Sequence, residues 1–263
     1  MVLKTNLYNL DGEVKKTIKL PKIFETPYRP DLINRAFIAA HSAMKQPKGT
    51  DPMAGKRTTA VSWGPGHGVA RVPRVKGSRY PAASRGAFAP MTVGGRRTHP
   101  PTAEKNIYKK INKKERKLAL KSAIAATANK DLVLKRGHVL DENIASLPII
   151  IDSEFENLQS TSEVFSVLKK LNLHLDLERV EKTKRIRAGV GKRRGRKYKI
   201  GKGPLIVVGE ESKLYKAARN ILGVDVISVK NLGIHHLAPG GHAGRLTIWT
   251  ENALAFLDKM GDD

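Results

Sequence analysis

The chain predicts an α/β fold, a mostly parallel sheet flanked by helices. Short continuous apolar runs recur at 147–151, 205–208, 224–229 and 246–249, and segments of helical period separate them. Strands without apolar and polar alternation are what a sheet buried on both faces requires, and intervening helices are what parallel connections require. No repeat of solenoid length competes with that reading.

The elements follow in order. Val2, Leu3, Asn6, Tyr8 and Leu10 precede Asp11-Gly12, and Val14, Thr17, Ile18 and Leu20 follow it, so a hairpin opens the chain. Asp31 stands as an N-cap before Leu32, Ile33, Ala36, Phe37, Ala40, Ala43 and Met44, a helical pattern that ends near Gln46-Pro47. Asn112 and Glu115 have capping-box spacing before a second helix through Leu118, Leu120, Ala123, Ile124, Ala126 and Thr127. After a polar stretch at 135–143, a buried strand at 147–151 precedes a helix capped by Ser160 and Glu163 and carrying Val164, Phe165, Val167, Leu168 and Leu171. A strand at 205–208, a helix at 212–222, strands at 224–229 and 246–249 and a helix at 251–260 complete one globular domain spanning 1–263.

Two segments break this pattern, and they carry the charge. Residues 45–105 hold twelve Lys or Arg against Asp51 and Glu104, together with eight of the fourteen prolines. The second, an extension at 182–203, holds eleven Lys or Arg and no acid, so the two account for all but four of the formal +25 charges. Charge concentrated in blocks on a nearly neutral body is the electrostatic footprint of phosphate binding. A polyanionic partner is therefore expected rather than a small-molecule substrate.

The core of the first segment, 56–99, lies between two predicted helices and is too long for an ordinary loop. If both helices pack on one core, it is a hairpin-like arm with its midpoint near Val75. About thirty residues each way, at roughly 3.3 Å per extended residue, would reach on the order of 100 Å. Pro stiffens such an arm, Gly permits close backbone approach, and Trp63, Tyr80 and Phe88 alternate with Arg71, Arg74, Arg79 and Arg85. Aromatic and guanidinium planes stack on splayed bases while cations bind phosphate, which is the combination used on irregular RNA. Candidate contacts in the arm are these seven residues with Lys56, Arg57, Lys76, Arg96, Arg97 and His99. Candidates in the extension are Arg185, Arg187, Lys192, Arg193, Arg194, Arg196, Lys197, Tyr198 and Lys199.

Catalytic and cofactor fingerprints are incomplete. Gly64-Pro-Gly-His-Gly68 follows no clear strand and opens no helix, and the stretch from Gly195 to Gly201-Lys202 has the wrong spacing for a phosphate loop, with Gly203 where a hydroxyl would hold magnesium. His235, His236 and His242 lack metal-ligand spacing, and adjacent histidines on a strand would point to opposite faces. Asp152, Glu154 and Glu156, and Glu210 and Glu211, sit where they would stabilise helix N-termini. There is no cysteine, hence no disulfide or thiolate chemistry. No apolar run approaches 18 residues and the first residues lack a secretory h-region, so a cytoplasmic protein without a membrane partner, metal or cofactor is expected.

Several motifs, in order along almost the whole chain, carry a family resemblance. They are Trp63-Gly-Pro-Gly66, Ala70-Arg-Val-Pro-Arg74, Gly86-Ala-Phe88, Gly94-Gly-Arg96, the run from Ala188 to Tyr198, and Leu237-Ala-Pro-Gly-Gly-His-x-Gly-Arg-Leu246 leading to Trp249-Thr-Glu251. Together they resemble the archaeal and eukaryotic branch of the large-subunit ribosomal protein L-four family. One position departs, since His67 stands where that branch commonly has Arg after Trp-Gly-x-Gly. The resemblance implies a structural, non-enzymatic constituent of the large ribosomal subunit, bound to large-subunit rRNA and neighbouring ribosomal proteins. It also implies that the arm reaches the wall of the peptide exit tunnel and meets the nascent peptide. The tip candidates are then Val69, Ala70, Arg71, Val72, Pro73, Arg74, Val75, Lys76, Gly77, Ser78 and Arg79, while the extension and the 239–245 loop, with His242 and Arg245, would bind rRNA at the globular end. The rival readings are an RNA-processing or modifying enzyme and a messenger-binding regulator.

Overall fold

The computed structural model describes residues 3–142, 144, 146–210 and 212–261, with the backbone alone for 259–261. Val2, Asn143 and Glu211, and the side chain of Met260, lie outside the described residues. Contacts divide the chain into two compact units, one formed by 1–42 with 109–263 and the other by 43–108.

The larger unit is built on a six-stranded sheet. Strands β1 (Lys4–Tyr8) and β2 (Val14–Lys19) form the opening hairpin. Its turn is wider than the Asp-Gly pair alone, because the Asn9 side chain accepts hydrogen bonds from the Asp11 and Glu13 amides, each at 2.9 Å. Gly12 is required there: its φ is +83°, and a Cβ would lie 2.6 Å from the Lys170 carbonyl oxygen. Helix α1 (Pro30–Ala43) begins one residue before the expected cap. Pro30 is suited to a first helical turn, and Asp31 pairs instead with Arg29 at 2.8 Å.

Helices α2 (Lys113–Ala126) and α3 (Lys130–Lys135) follow residue 109. The Asn112 capping box does not form, because Glu115 is drawn to Arg35 at 3.1 Å. The short α3 is capped by the Asn129 side chain and has no signal strong enough to be read from sequence. Strand β3 (Ile149–Ile151) leads to α4 (Thr161–Lys170) and to α5 (His174–Lys182), a helix the polar sequence concealed. Short strands β4 (Arg185–Ile186) and β5 (Tyr198–Lys199) pair as an antiparallel ribbon. Then come β6 (Leu205–Val208), α6 (Leu214–Arg219), β7 (Asp225–Ser228), α7 (Ile234–Leu237), β8 (Thr247–Thr250) and α8 (Glu251–Gly261).

The main sheet has the order β2-β1-β3-β8-β6-β7, and every pair except the opening hairpin is parallel. Successive side chains on a strand point to opposite faces, so one run supplies two cores. Leu7, Ile150, Leu205, Val207 and Trp249 pack beneath α1, α2, α7 and α8, with Ile33, Ala123, Leu237 and Leu254. Ile149, Ile151, Ile206, Val208 and Ile248 pack on the other face with Phe155, Val164, Leu168, Leu177 and Leu214. Continuous apolar runs arise because both faces are covered. Among the described residues no helix is long and apolar enough to cross a membrane.

Trp249 is fully buried, meets Phe24 edge-on at 5.9 Å between ring centroids, and donates from Nε1 to Thr247 Oγ1 at 3.1 Å. Trp249→Ala should cost about 3–5 kcal/mol of stability, read as a lowered urea midpoint by circular dichroism. A loss below about 1 kcal/mol would contradict this packing.

Candidate nucleic-acid interface

The unit at 43–108 has almost no apolar interior. Ala89 is its one buried hydrophobic residue, whereas Met91 and Val93 are 80% and 88% exposed. Its shape rests on sparse backbone bonds. Thr50 N donates to Pro101 O at 3.1 Å, and Val61 and Arg74 exchange bonds at 3.0 and 3.1 Å. Arg74 also bridges to Gly86, Val75 N donates to Arg85 O at 3.0 Å, and Ala87 N donates to Pro73 O at 2.8 Å.

Residues 69–79 are therefore not the apex of one hairpin. The middle of that stretch is held on both sides, which leaves Val72, Pro73, Arg74 and Val75 half-buried. The chain instead presents two loops, with Val69, Ala70 and Arg71 exposed on the first and Lys76, Gly77, Ser78, Arg79 and Tyr80 on the second. Arg74 braces them: its guanidinium lies 5.5 Å from the Trp63 ring centroid and donates to Ser84 O at 3.0 Å. Its Nε has no hydrogen-bond acceptor, so the aromatic face supplies the compensating electrostatics there. Arg96 lies 5.9 Å from the Phe88 ring, and both are partly buried. Arg79, Ser84 and Phe88 have positive φ, conformations that cost side-chain-bearing residues about 1–3 kcal/mol and persist only when something over-determines them. Lys56, Arg85, Arg97 and His99 are exposed. Arg57 pairs with Asp51, Tyr80 donates its hydroxyl to the Lys76 carbonyl, and the His67 ring sits edge-on to Trp63 at 5.9 Å.

The β4–β5 ribbon presents the other basic set. Arg187 N donates to Lys197 O at 2.8 Å and Arg187 Nε to Arg196 O at 3.1 Å, which shapes the connection. Arg185, Lys192, Arg193, Arg194, Arg196, Lys197, Tyr198 and Lys199 are exposed, while Arg187 is half-buried. Lys184 and Lys197 flank the Tyr198 ring at 5.3 and 5.5 Å. Cations and a stacking plane share one surface.

The 239–245 loop divides in two. His242 is exposed, but Arg245 is 0% exposed and does not face a ligand. It donates to the carbonyls of Gly203 and His236, each at 2.9 Å, to those of Pro204 and Gly223 at 3.4 Å, and to Asp225 at 2.6 Å. Burial lowers its pKa while Asp225 opposes the fall. In turn, burial pushes Asp225 up, but Arg245 and Lys202 hold it below the usual carboxylate range. His235 and His236 lie on the single turn of α7, not on a strand, and their rings approach to 3.8 Å. Burial and His235 bring His236 down to about 4.

Asp152 and Glu156 do stand at the start of a 3-10 turn, Ser153–Asn157, but without a side-chain cap bond. Asp152 pairs with Lys15 at 2.6 Å, and neither it nor Ser160 makes a side-chain cap bond. Glu156 accepts from Gly209 N at 3.0 Å, Thr250 Oγ1 at 2.5 Å and Asn252 Nδ2 at 3.3 Å. This is the crevice where the connections from β6 and β8 leave toward opposite faces, the position at which open α/β sheets bind ligands. The chain's own carboxylate occupies it.

The model of the ribosomal protein L4/L1 family matches residues 18–260. The large ribosomal subunit protein uL4 of Methanocaldococcus jannaschii is 54% identical over 252 residues, 96% of this chain and 97% of its own length. Those of Methanosphaera stadtmanae and Methanopyrus kandleri are 51% and 49% identical, covering 98% of this chain and 96% and 98% of their own. The chain belongs to the ribosomal protein L4/L1 family.

In this family member, the sequence reading missed Arg136 and Lys135, which α3 places beside the 239–245 loop. Arg136 donates to the carbonyls of Pro239, at 2.9 Å, and His242. Only the unrecognised helix could have drawn attention to them.

Arg245→Met should destabilise the protein by about 3 kcal/mol, because the carbonyls of Gly203 and His236 lose the donor that Arg245 supplies and Asp225 keeps only Lys202 as its cationic partner. RNA affinity per folded molecule should not change, as filter binding at fixed salt would establish. For His236 the unfolded imidazole protonates near 6.5 and the folded one at about 4, so between these values the unfolded chain holds more protons and stability falls as pH falls. His236→Gln should reduce the slope of the urea midpoint across that window without abolishing it, because burial also lowers His138 and His235; an unchanged slope would place the titration elsewhere.

Proposed function

We propose that this chain is a structural constituent of the large ribosomal subunit, located in the ribosome and acting by binding rather than by catalysis. The observation that carries the reading is the contrast at 43–108: twelve cations and two acids on a unit with one buried hydrophobic residue. Fixing a backbone costs roughly 1–2 kcal/mol per residue, and such a unit has no interior burial to offset it. Its order is supplied by a partner, and the charge names a polyanion.

Large-subunit rRNA fits that partner, with neighbouring ribosomal proteins beside it. Lys and Arg neutralise phosphates and release counterions, while Trp63, Tyr80 and Tyr198 offer planes to unstacked bases. Residues 45–105 act as an arm inserted in the globular α/β domain, and 182–203 act as a second extension. Holding separate rRNA segments at two charged sites would fix them relative to each other during assembly. The loops on either side of Arg74 are the part of the arm we assign to the exit-tunnel wall, where the nascent peptide passes.

The decisive experiment is co-sedimentation with large subunits through a high-salt wash, in which an integral constituent stays and a loosely associated enzyme leaves. Deleting 56–99 should leave the sheet folded by circular dichroism while impairing particle maturation; collapse of the sheet would refute the modular reading. Replacing Arg193, Arg194, Arg196 and Lys197 by Ala should reduce the slope of log affinity against log salt by up to about 3, because each phosphate contact contributes roughly 0.7–0.9. The melting temperature should hold.

A further inference from the structure

A cavity of about 690 Å³ opens in the larger unit between the start of α1, α3 and the 239–245 loop. Its wall includes Tyr28, Leu132, Lys135, Arg136, Gly241 and His242. Among the described residues no carboxylate lines it. Volumes of this order suit a single small ligand.

The charge in that wall is uncompensated. Arg136 is partly buried and donates to backbone carbonyls, those of Pro239 and His242. Among the described residues no acid pairs with it, and the positive charges of Arg245 and Arg179 act on it from the interior. Burial first, then those two guanidiniums, bring Arg136 down to about 10. A partly desolvated cation whose nearest charged groups are also cations gains most from an anion. Lys135 and His242 stand exposed at the same wall.

The wall is also preformed. Gly241 has φ +85°, and a Cβ there would meet Asn34 Oδ1 at 2.7 Å; Gly244 has φ +90°, with Leu132 O at 2.5 Å from the corresponding point. The loop is thereby seated against α1 and α3 in a conformation other residues would strain. Tyr28, 44% exposed, adds an aromatic plane beside apolar Pro30 and Leu132. By contrast, the cavity of about 550 Å³ beside α4 and α5 sets Glu178 and Glu181 against Lys169, so its wall carries no excess of cations for a phosphate.

We propose that the cavity bounded by Tyr28, Lys135, Arg136 and His242 receives one unstacked RNA nucleotide, its phosphate on the cations and its base against Tyr28. This rests on the RNA-binding reading above and adds a defined pocket to it. The site differs in kind from the two basic segments. Those track backbone by charge, whereas this one encloses a base.

The test is equilibrium dialysis of the full chain with labelled adenosine monophosphate at low salt, with hexaadenylate and inorganic phosphate as competitors. The protein should bind the mononucleotide weakly, and both competitors should displace it, hexaadenylate at the lower concentration. Tyr28→Ala and Lys135→Glu, both at exposed positions, should each weaken binding at least fivefold without moving the melting temperature. Unaltered affinity in both variants would overturn the proposal. Displacement by phosphate but not by hexaadenylate would make this a free-nucleotide site and overturn it equally. Binding of rRNA by the same preparations separates the two readings: rRNA bound with no mononucleotide binding sinks the pocket alone, whereas loss of both sinks the RNA reading with it.

Discussion

The buried guanidinium of Arg245 ties down the edge of the sheet at which β6 and β7 begin. The backbone entering β6 offers the carbonyls of Gly203 and Pro204, the turn before β7 offers that of Gly223, and α7 offers that of His236. Pro204 and Gly223 also accept from the backbone amides of Asp225 and Gly203, and the guanidinium adds to these while serving Gly203 and His236, since a planar group with five N–H bonds can reach several segments at once. Asp225 makes the charge tolerable. The consequences reach the surface: after burial, the same charge helps depress His236 and Arg136, so a structural cation in the interior adds to the positive field at the cavity wall.

The two units follow opposite physical strategies. The larger one is stabilised by two apolar layers on a sheet covered on both faces, and it closes its own ligand crevice with Glu156. The unit at 43–108 has backbone bonds, left-handed residues and an Arg74–Trp63 contact, but only Ala89 buried. The β4–β5 ribbon is an intermediate case, in which a short hairpin holds the cations at fixed spacing.

Legibility followed the range of the forces involved. Strands β3 and β6 could be read because burial on both faces writes itself as uninterrupted Ile, Val and Leu, and β7 and β8 because apolar residues still dominate around their Asp, Ser and Thr. Helices α3 and α5 could not, since each is short and buries few side chains among polar neighbours. The expected capping box at Asn112 failed because a distant partner, Arg35, competed for Glu115. His235 and His236 carried the signal of loop residues, but one helical turn brings their rings together.

The amino-acid sequence by itself determined the α/β class, the two concentrations of positive charge and the aromatic residues set among them, because composition and local periodicity are properties of neighbours along the chain. Its motifs also determined the family. Only the tertiary structure decided that Arg245 is interior while Arg136 stands at a cavity wall, and that Arg74 braces two loops where a single apex was expected. Burial and charge pairing depend on what distant segments bring to a side chain, and in a basic protein an arginine that holds a sheet together is spelled like one that holds RNA.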